Sequence, residues 1–312
     1  MILTVTLNPC MDHTAETDGL EIGGTNRVVS SQRDLGGKGI NVAVALRQLG
    51  QDAACLVLSR SEDEDFLERA LRGQGVPCRS MPAPGRLRVN LKLFDRRNGV
   101  MTECNETGVP VPEGTAERFL AMAAEELPKA RLLVLSGSVP PGIPASVYRE
   151  LAERAAALGV PTVLDASGPL LMEGLQAGPL LIKPNRAELQ ESLESELSTL
   201  EDAVQACRGL VEQYGVAYVC LSMGKEGAVL VSREGAWFSE SVFIPVQGVQ
   251  GAGDSMVAGL CLGLLEGAPP EELLRRGAAA AHGTLLLPGT LLCGKKEYQQ
   301  MYPQIPVHRL SL

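Results

Sequence analysis

What this chain of 312 residues lacks narrows its chemistry before any motif is read. Histidine is scarce: His13, His282 and His308 are the only three, too few and too dispersed for a metal cluster. The eight cysteines (Cys10, Cys55, Cys78, Cys104, Cys207, Cys220, Cys261, Cys293) contain no C-x-x-C pair. They read as small buried apolar residues of a reducing compartment rather than as a zinc or redox centre. No basic block offsets the net charge of −9, which argues against a nucleic-acid partner. No apolar run approaches the ~20 residues of a membrane helix. The opening Met1-Ile-Leu-Thr-Val-Thr-Leu7 lacks the basic and cleavage regions of a signal peptide and reads as a strand, so a cytoplasmic protein without a membrane partner is expected. Two familiar nucleotide signatures are missing as well. Gly289…Gly294-Lys295-Lys296 lacks the Ser/Thr of a P-loop, and Gly251-Ala-Gly253 carries Met256 where a dinucleotide fingerprint needs its third glycine.

What is present is enough apolar sequence, 45%, for a sizeable core. Strand-like and helix-like segments alternate: Ile2–Leu7, then Ile40–Leu49 stopped by Gly50; Ala53–Leu58, then Glu64–Gly73; Leu132–Leu135, then Ala145–Leu158; and Thr162–Leu164, Leu180–Ile182 and Ala217–Leu221. This rhythm predicts an α/β fold, a mostly parallel sheet covered by helices on both faces. Two stretches break it, residues 12–34 and 86–107. The second alternates at Val89-Asn-Leu-Lys-Leu-Phe94 and offers a hairpin turn at Arg96-Arg-Asn-Gly99. Together they predict a small β lid on one domain spanning 1–312.

The strongest chemical signal is Gly251-Ala-Gly-Asp-Ser-Met256 opening an apolar helical run. Small residues at a helix N-terminus let backbone N–H groups converge on anionic oxygens, and Asp254 in the first turn aims a carboxylate at the same spot. Phosphoryl transfer needs that pairing, since the amides stabilise charge on the moving group while the carboxylate accepts a hydroxyl proton. The plainer alternative is a loop with Asp254 as a helix cap. Leu35-Gly-Gly-Lys-Gly-Ile-Asn-Val-Ala43 is a second glycine-rich turn, with Lys38 and Asn41 as ligand contacts or merely as a solvated lysine and a cap. In Lys183-Pro-Asn-Arg-Ala-Glu188, Asn185 and Glu188 share a helical face suited to the water shell of Mg²⁺, or to simple N-capping. Asp12, just past the first strand, is suited to sugar hydroxyls. Arg27, Arg88 and Lys92 put positive charge on the lid; on an acidic chain such charges are ordinarily solvated unless a phosphate must be held there.

Taken in order, Asn8-Pro…Asp12, Gly36-Gly-Lys-Gly-Ile-Asn-Val-Ala43, Ser136-Gly-Ser…Pro141-Gly142, Asp165-x-Ser-Gly168, Lys183-Pro-Asn-x-x-Glu188, Ser222-x-Gly…Gly227 and Gly251-Ala-Gly-Asp-Ser-Met256 resemble the ribokinase-like (PfkB) carbohydrate kinases nearly end to end. The phosphosugar branch, that of the 1-phosphofructokinases and tagatose-6-phosphate kinases, is the most similar. The resemblance implies a three-layer α/β/α domain with a β lid, and transfer of phosphate from ATP, with Mg²⁺, to a ketohexose phosphate. Fructose 1-phosphate is the first choice, with tagatose 6-phosphate and fructose 6-phosphate as alternatives. A kinase of an unphosphorylated sugar and a catalytically silent sugar-phosphate sensor are the more distant ones.

The resemblance further implies Asp254 as catalytic base and Gly251, Ala252 and Gly253 as anion hole. It implies Asp12, Gly37, Lys38 and Asn41 at the sugar, Arg88 and Asn90 at the lid positions that grip a phosphosugar, and Arg27 and Ser138 at the acceptor phosphate. Lys183, Asn185, Ser222, Gly224, Gly227, Ala279 and His282 would lie along ATP, with Asn185 and Glu188 organising Mg²⁺ through water. Lid sheets commonly pair two subunits in this family, so a homodimer is implied. Three features depart from the pattern: Val249-Gln250 before the glycines, where Thr and an apolar residue are usual; the acidic stretch within Leu58–Asp65, which reads as a solvated loop; and His282, where small residues are common and contact with the nucleotide is open.

Overall fold

The computed structural model describes residues 1–311. The first strand, β1 (Ile2–Thr6), leads into two strands of a small sheet, β2 (Cys10–Thr17) and β3 (Val28–Gly36), and then into helix α1 (Lys38–Gln48). An outer unit follows, β4 (Ala53–Arg60), α2 (Glu64–Gly73) and β5 (Cys78–Ala83), before two further small-sheet strands, β6 (Arg88–Asp95) and β7 (Val100–Asn105). The second half comprises α3 (Thr115–Glu126), β8 (Leu132–Ser136), α4 (Val147–Ala157), β9 (Thr162–Asp165), α5 (Gly168–Leu175) and β10 (Leu181–Ile182). Helices α6 (Arg186–Leu193) and α7 (Leu200–Tyr214) precede β11 (Tyr218–Ser222) and the hairpin β12 (Ala228–Ser232) and β13 (Gly235–Ser239). Helices α8 (Ala252–Glu266), α9 (Pro270–Leu285) and α10 (Lys295–Met301) and the short strand β14 (His308–Arg309) close the chain.

The main sheet has ten strands in the order β14-β13-β12-β11-β10-β9-β8-β1-β4-β5. The seven strands β11, β10, β9, β8, β1, β4 and β5 run parallel, and β12 to β14 join antiparallel at the other edge. The period-2 alternation of a strand explains how both faces are covered. Leu3, Val5, Leu133 and Leu135 point to one face, with Phe119, Tyr148, Leu171 and Leu210 of α3, α4, α5 and α7. Ile2, Leu132 and Val134 point to the other, with Ile40, Leu67, Leu260 and Leu274 of α1, α2, α8 and α9. No helix among the described residues is long and apolar enough to cross a membrane.

The two irregular stretches form the expected separate sheet, four strands in the order β3-β2-β6-β7. Residues 96–99 make the turn between β6 and β7. Three expectations need correction. Cys78 and Cys104 are exposed, while the other six cysteines are buried. The stretch within Leu58–Asp65 is a solvated loop only in part: Ser61, Glu62 and Asp65 are exposed, but Arg60 is buried, Asp63 accepts the Leu87 N–H at 2.8 Å, and Glu64 accepts the Ser59 hydroxyl at 2.9 Å. These acidic side chains start α2 and tie the strand end to the base of the lid. Lys92, expected in solvent, is buried.

The main chain follows β1 into the lid at Cys10 and returns along β3 to Gly36, opposite Cys10. A Cβ on Gly36 would fall 2.7 Å from Asp12 Oδ2, and Gly37 turns the chain into α1 at φ 138°. Two residues on, a Cβ on Gly39 would collide with the Val5 carbonyl oxygen of β1, so α1 lies closer to the sheet than any side chain permits. Gly39→Ala is therefore expected to cost about 1–3 kcal/mol, seen as a lower urea midpoint with unchanged slope.

Candidate active site

Because the strands are parallel, their carboxyl ends open on one edge of the sheet, where α/β folds bind ligands. Asn8 follows β1 there, Ser136 and Asp165 end β8 and β9, Lys183 follows β10, and Ser222 ends β11. Helix α8 brings its N-terminus to the same edge. Gly251 precedes it in the left-handed region at φ 72°, with no side chain capping the helix. The first intrahelical bond runs from Ser255 N–H to the Gly251 carbonyl, so the amides of Ala252, Gly253 and Asp254 are without backbone partners among the described residues. Three free N–H groups at the positive end of a 15-residue helix form a receptor for anionic oxygen.

Asp254 is buried, and its Oδ2 accepts the Asn41 amide N–H at 2.7 Å. Burial chiefly, and the nearby Asp165 carboxylate, push its carboxyl up to about 6, against the opposing pull of Lys38, Asn41 and Lys183. It is thus an ionised carboxylate at neutral pH with appreciable basicity. Asp165 holds the cations beneath it. Its Oδ2 accepts the Ser136 hydroxyl at 2.9 Å and lies 3.6 Å from Lys38 Nζ, while its Oδ1 lies 3.2 Å from Lys183 Nζ. Burial works against that charge, yet Lys183, Lys38 and Ser136 outweigh it and hold the carboxyl below the usual range. Asp165 chiefly, and Glu188 at 3.2 Å, in turn hold Lys38 above the ordinary lysine range. A Cβ on Gly253 would lie 3.7 Å from Lys183 Nζ, which puts that ammonium next to the free amides.

The lid supplies the opposite wall. Asp12 is buried, with Lys92 Nζ at 2.9 Å on Oδ2 and the Asn90 amide donating at 3.0 Å to Oδ1. Arg88 donates to the Asn8 carbonyl at 3.1 Å and to Asn90 Oδ1 at 2.9 Å, while the Asn8 amide donates to Ser138 Oγ at 3.1 Å. A cavity of about 230 Å³ reaches Asp12, Asn41 and Gly251 and continues between β3, α1 and residues 290–292. Of the expected acceptor residues, Asp12 and Asn41 line this cavity, Asn41 joins it to Asp254, Asn90 and Arg88 are linked to Asp12, Ser138 is linked to Asn8, and Gly37 and Lys38 open α1 beside them. Arg27 does not join them: it is exposed ahead of β3, with no ion-pair partner among the described residues.

The expected nucleotide side is more mixed. Lys183 is buried and paired with Asp165 rather than free. Asn185 and Glu188 form a reciprocal capping box at the start of α6, the plainer of the two alternatives: Asn185 Oδ1 accepts the Glu188 N–H and Glu188 Oε2 accepts the Asn185 N–H, both at 2.8 Å. Glu188 Oε1 faces Lys38. No group of three or more His, Cys, Asp or Glu among the described residues is arranged to hold a metal ion directly. The donor set therefore fits Mg²⁺ only in the form that keeps its waters and takes phosphate oxygens as partners. Ser222 ends β11 beside Asn185, and Gly224 and Gly227 shape the turn that follows, where a Cβ on Gly227 would strike the Ser239 carbonyl. Ala279 is wholly buried against Met301 and Ile305. His282 is buried too. Its Nε2 accepts the Val242 N–H at 3.1 Å, so the ring proton sits on Nδ1 and is donated to the Ala278 carbonyl at 2.8 Å. Its role in this structure is to anchor the segment that leads toward Gly251.

Asp165 and Asn8 have no role assigned from sequence, and Lys92 and Gln250, noted there as a lid charge and as a departure from the family pattern, are not expected to meet. Asp165 and Asn8 stand inside quoted motifs, and an acidic residue ending an apolar strand is the one signal Asp165 gave. Lys92 and Gln250 meet at 2.9 Å, and nothing in the pattern announces that contact across 158 positions. In a carboxylate-resolved NMR titration, Asp254 is expected to protonate near pH 6. Lys38→Met removes a cation that favours the carboxylate, so the midpoint should move upward; an unmoved midpoint would contradict the electrostatic account.

A family model described as pfkB family carbohydrate kinase matches residues 5–296. The chain is 34% identical to the 1-phosphofructokinase of Escherichia coli K12 over 280 residues, 90% of this chain and 89% of that one. It is 32% identical to the 1-phosphofructokinase of Bacillus subtilis over 311 residues, 99% of this chain and all of its relative. Among solved structures, phosphofructokinase-2 from Escherichia coli in complex with potassium superposes with a TM-score of 0.91 at 30% identity, covering 97% of this chain and 98% of that one. With matching coverage of sequence and architecture, a ten-stranded sheet under a four-stranded lid, this chain belongs to the pfkB family of carbohydrate kinases, phosphotransferases with an alcohol acceptor.

Proposed function

We propose that the protein transfers the γ-phosphoryl group of ATP to a ketohexose phosphate, fructose 1-phosphate in the first instance, giving the bisphosphate and ADP. The observation that carries this reading is the basic carboxylate of Asp254 beside three unpartnered amides at the start of α8. The acceptor hydroxyl lies against Asp254, which takes its proton as the oxygen attacks. The amides of Ala252, Gly253 and Asp254 receive the charge that gathers on the equatorial phosphoryl oxygens, with Lys183 alongside. Asn41 orients the base. Asp12 and Asn90 hold sugar hydroxyls, and Arg88, with Ser138, holds the phosphate already on the acceptor. Mg²⁺, when bound, would neutralise charge on the nucleotide phosphates, and Glu188 and Asn185 would hold it through water. The choice of fructose 1-phosphate rests on the Gly36-Gly-Lys-Gly39 turn and on the relatives that bear the name 1-phosphofructokinase.

The lid also supports a partner. Val28 and Val29 on β3 and Val100 and Met101 on β7 are exposed apolar side chains, suited to burial against the lid of a second copy, and Arg27 adjoins them. Sedimentation velocity is expected to give a dimer, and Val29→Glu with Val100→Glu a monomer; a monomeric wild type would remove this part of the reading.

The function is tested by ADP release over fructose 1-phosphate, tagatose 6-phosphate, fructose 6-phosphate, fructose and ribose. Turnover is expected with a phosphosugar, and turnover with free sugars alone would overturn the assignment. Asp254→Asn should lower kcat by about 10²- to 10⁴-fold. Arg88→Ala should act mainly on the acceptor KM, raising it about 10- to 100-fold through loss of charge-assisted hydrogen bonds. Because the base must be ionised, kcat/KM should fall as the pH drops through about 6.

A further inference from the structure

Lys92 is a lysine without solvent. It lies on β6 two residues beyond Asn90, so both side chains project from one face of the strand toward Asp12, which pairs with Asn90 in the register of β2 and β6. Its side chain is 7% exposed, and the ammonium sits between two oxygens, Asp12 Oδ2 and Gln250 Oε1, each at 2.9 Å. Gln250 immediately precedes Gly251, the left-handed residue that opens the free end of α8. The segment from Glu240 to Gln250 contains neither helix nor strand. On the side of α9 it is tied by Gln247 N–H to the Leu285 carbonyl and by Val242 to His282. On the side of the lid, the Lys92–Gln250 bond is the one side-chain hydrogen bond that reaches it among the described residues. Gln250 also stands at a position where the resemblance leads one to expect an apolar residue, which has no oxygen to offer.

We propose that Lys92 and Gln250 form a latch through which the lid sets the position of the phosphoryl-receiving turn, and that both act as positioning residues for transfer. Donors at a developing charge are effective only when held within a fraction of an ångström. The turn at Gly251 has little regular structure before it to provide that rigidity. Lys92 supplies it from the lid, and the same ammonium touches the carboxylate that faces the acceptor. An acceptor hydroxyl that hydrogen-bonds Asp12 shares the carboxylate with Lys92 and leaves the ammonium to bear more fully on Gln250. Sugar occupancy is thereby transmitted to the turn, and a site without sugar keeps a looser turn, which disfavours attack by water on the nucleotide.

This deepens the kinase reading given above and rests on it for the catalytic consequence, while the latch itself is observable without turnover. Hydrogen exchange on the unliganded full chain should show faster exchange at residues 250–254 in Lys92→Met and in Gln250→Leu, and no further acceleration in the double variant. In ADP-release assays each single variant should lose about tenfold in kcat/KM, and the double variant no more than the worse single one, the sign of a shared interaction. For Gln250→Leu the loss should lie in kcat, with the acceptor KM little changed. Gln250→Glu, which keeps an oxygen for Lys92, should recover most of the rate and shows that the position tolerates change without unfolding. Losses that multiply in the double variant, or exchange at 250–254 unaffected by Lys92→Met, would overturn the latch even in a fully active enzyme. A wild type inactive on every phosphosugar would overturn the kinase reading instead, with the exchange data still deciding whether lid and turn are joined.

Discussion

One buried carboxylate organises the charged interior of this protein. Asp165 ends β9 in the middle of the sheet edge and is almost fully enclosed, a position where an unpaired charge is prohibitively costly. It is retained ionised because two ammonium groups and a hydroxyl converge on it from three other parts of the chain: Lys38 from α1, Lys183 from beyond β10 and Ser136 from β8. The consequence runs outward. Lys38 and Lys183, fixed by that carboxylate, hold Asp254 in a balance between the cations that favour its charge and the burial and neighbouring anion that oppose it. The basicity of Asp254, raised chiefly by its burial, is thus tuned by the Asp165 carboxylate and by the two cations that carboxylate fixes.

Much of this architecture was legible in the sequence because it follows from local pattern. The helix at Glu64–Gly73 coincides with its apolar and acidic periodicity. The alternation in residues 86–107 ends in a turn where Arg96-Arg-Asn-Gly99 announces one. The glycine-rich turns before α1 and α8 are visible as letters, since small residues and left-handed geometry leave few alternatives. The position of Asp254 beside Asn41 follows once α1 and α8 are known to share a face of the sheet.

What stayed hidden depends on contacts between distant segments. Whether Lys92 is solvated or enclosed is decided by Asp12 and Gln250, neither of which is near it in sequence. The acidic stretch before α2 has the composition of a surface loop, yet Ser59, Ser80 and the Leu87 amide give its carboxylates interior partners. His282 offers the same ring to a nucleotide or to a backbone, and the nearby Val242 amide decides for the latter. Arg27 illustrates the converse: its motif position suggests a phosphate ligand, while in a single copy of the chain it stands in solvent.

The start of α6 has a consequence for how the site tolerates changes of occupancy. Glu188 divides its work between its two oxygens, one closing the capping box on Asn185 and the other resting on Lys38. A carboxylate so split is anchored on one side and exchangeable on the other. Were a hydrated cation held there, the outward oxygen could trade an ammonium for water while the inward one kept the first turn of the helix wound.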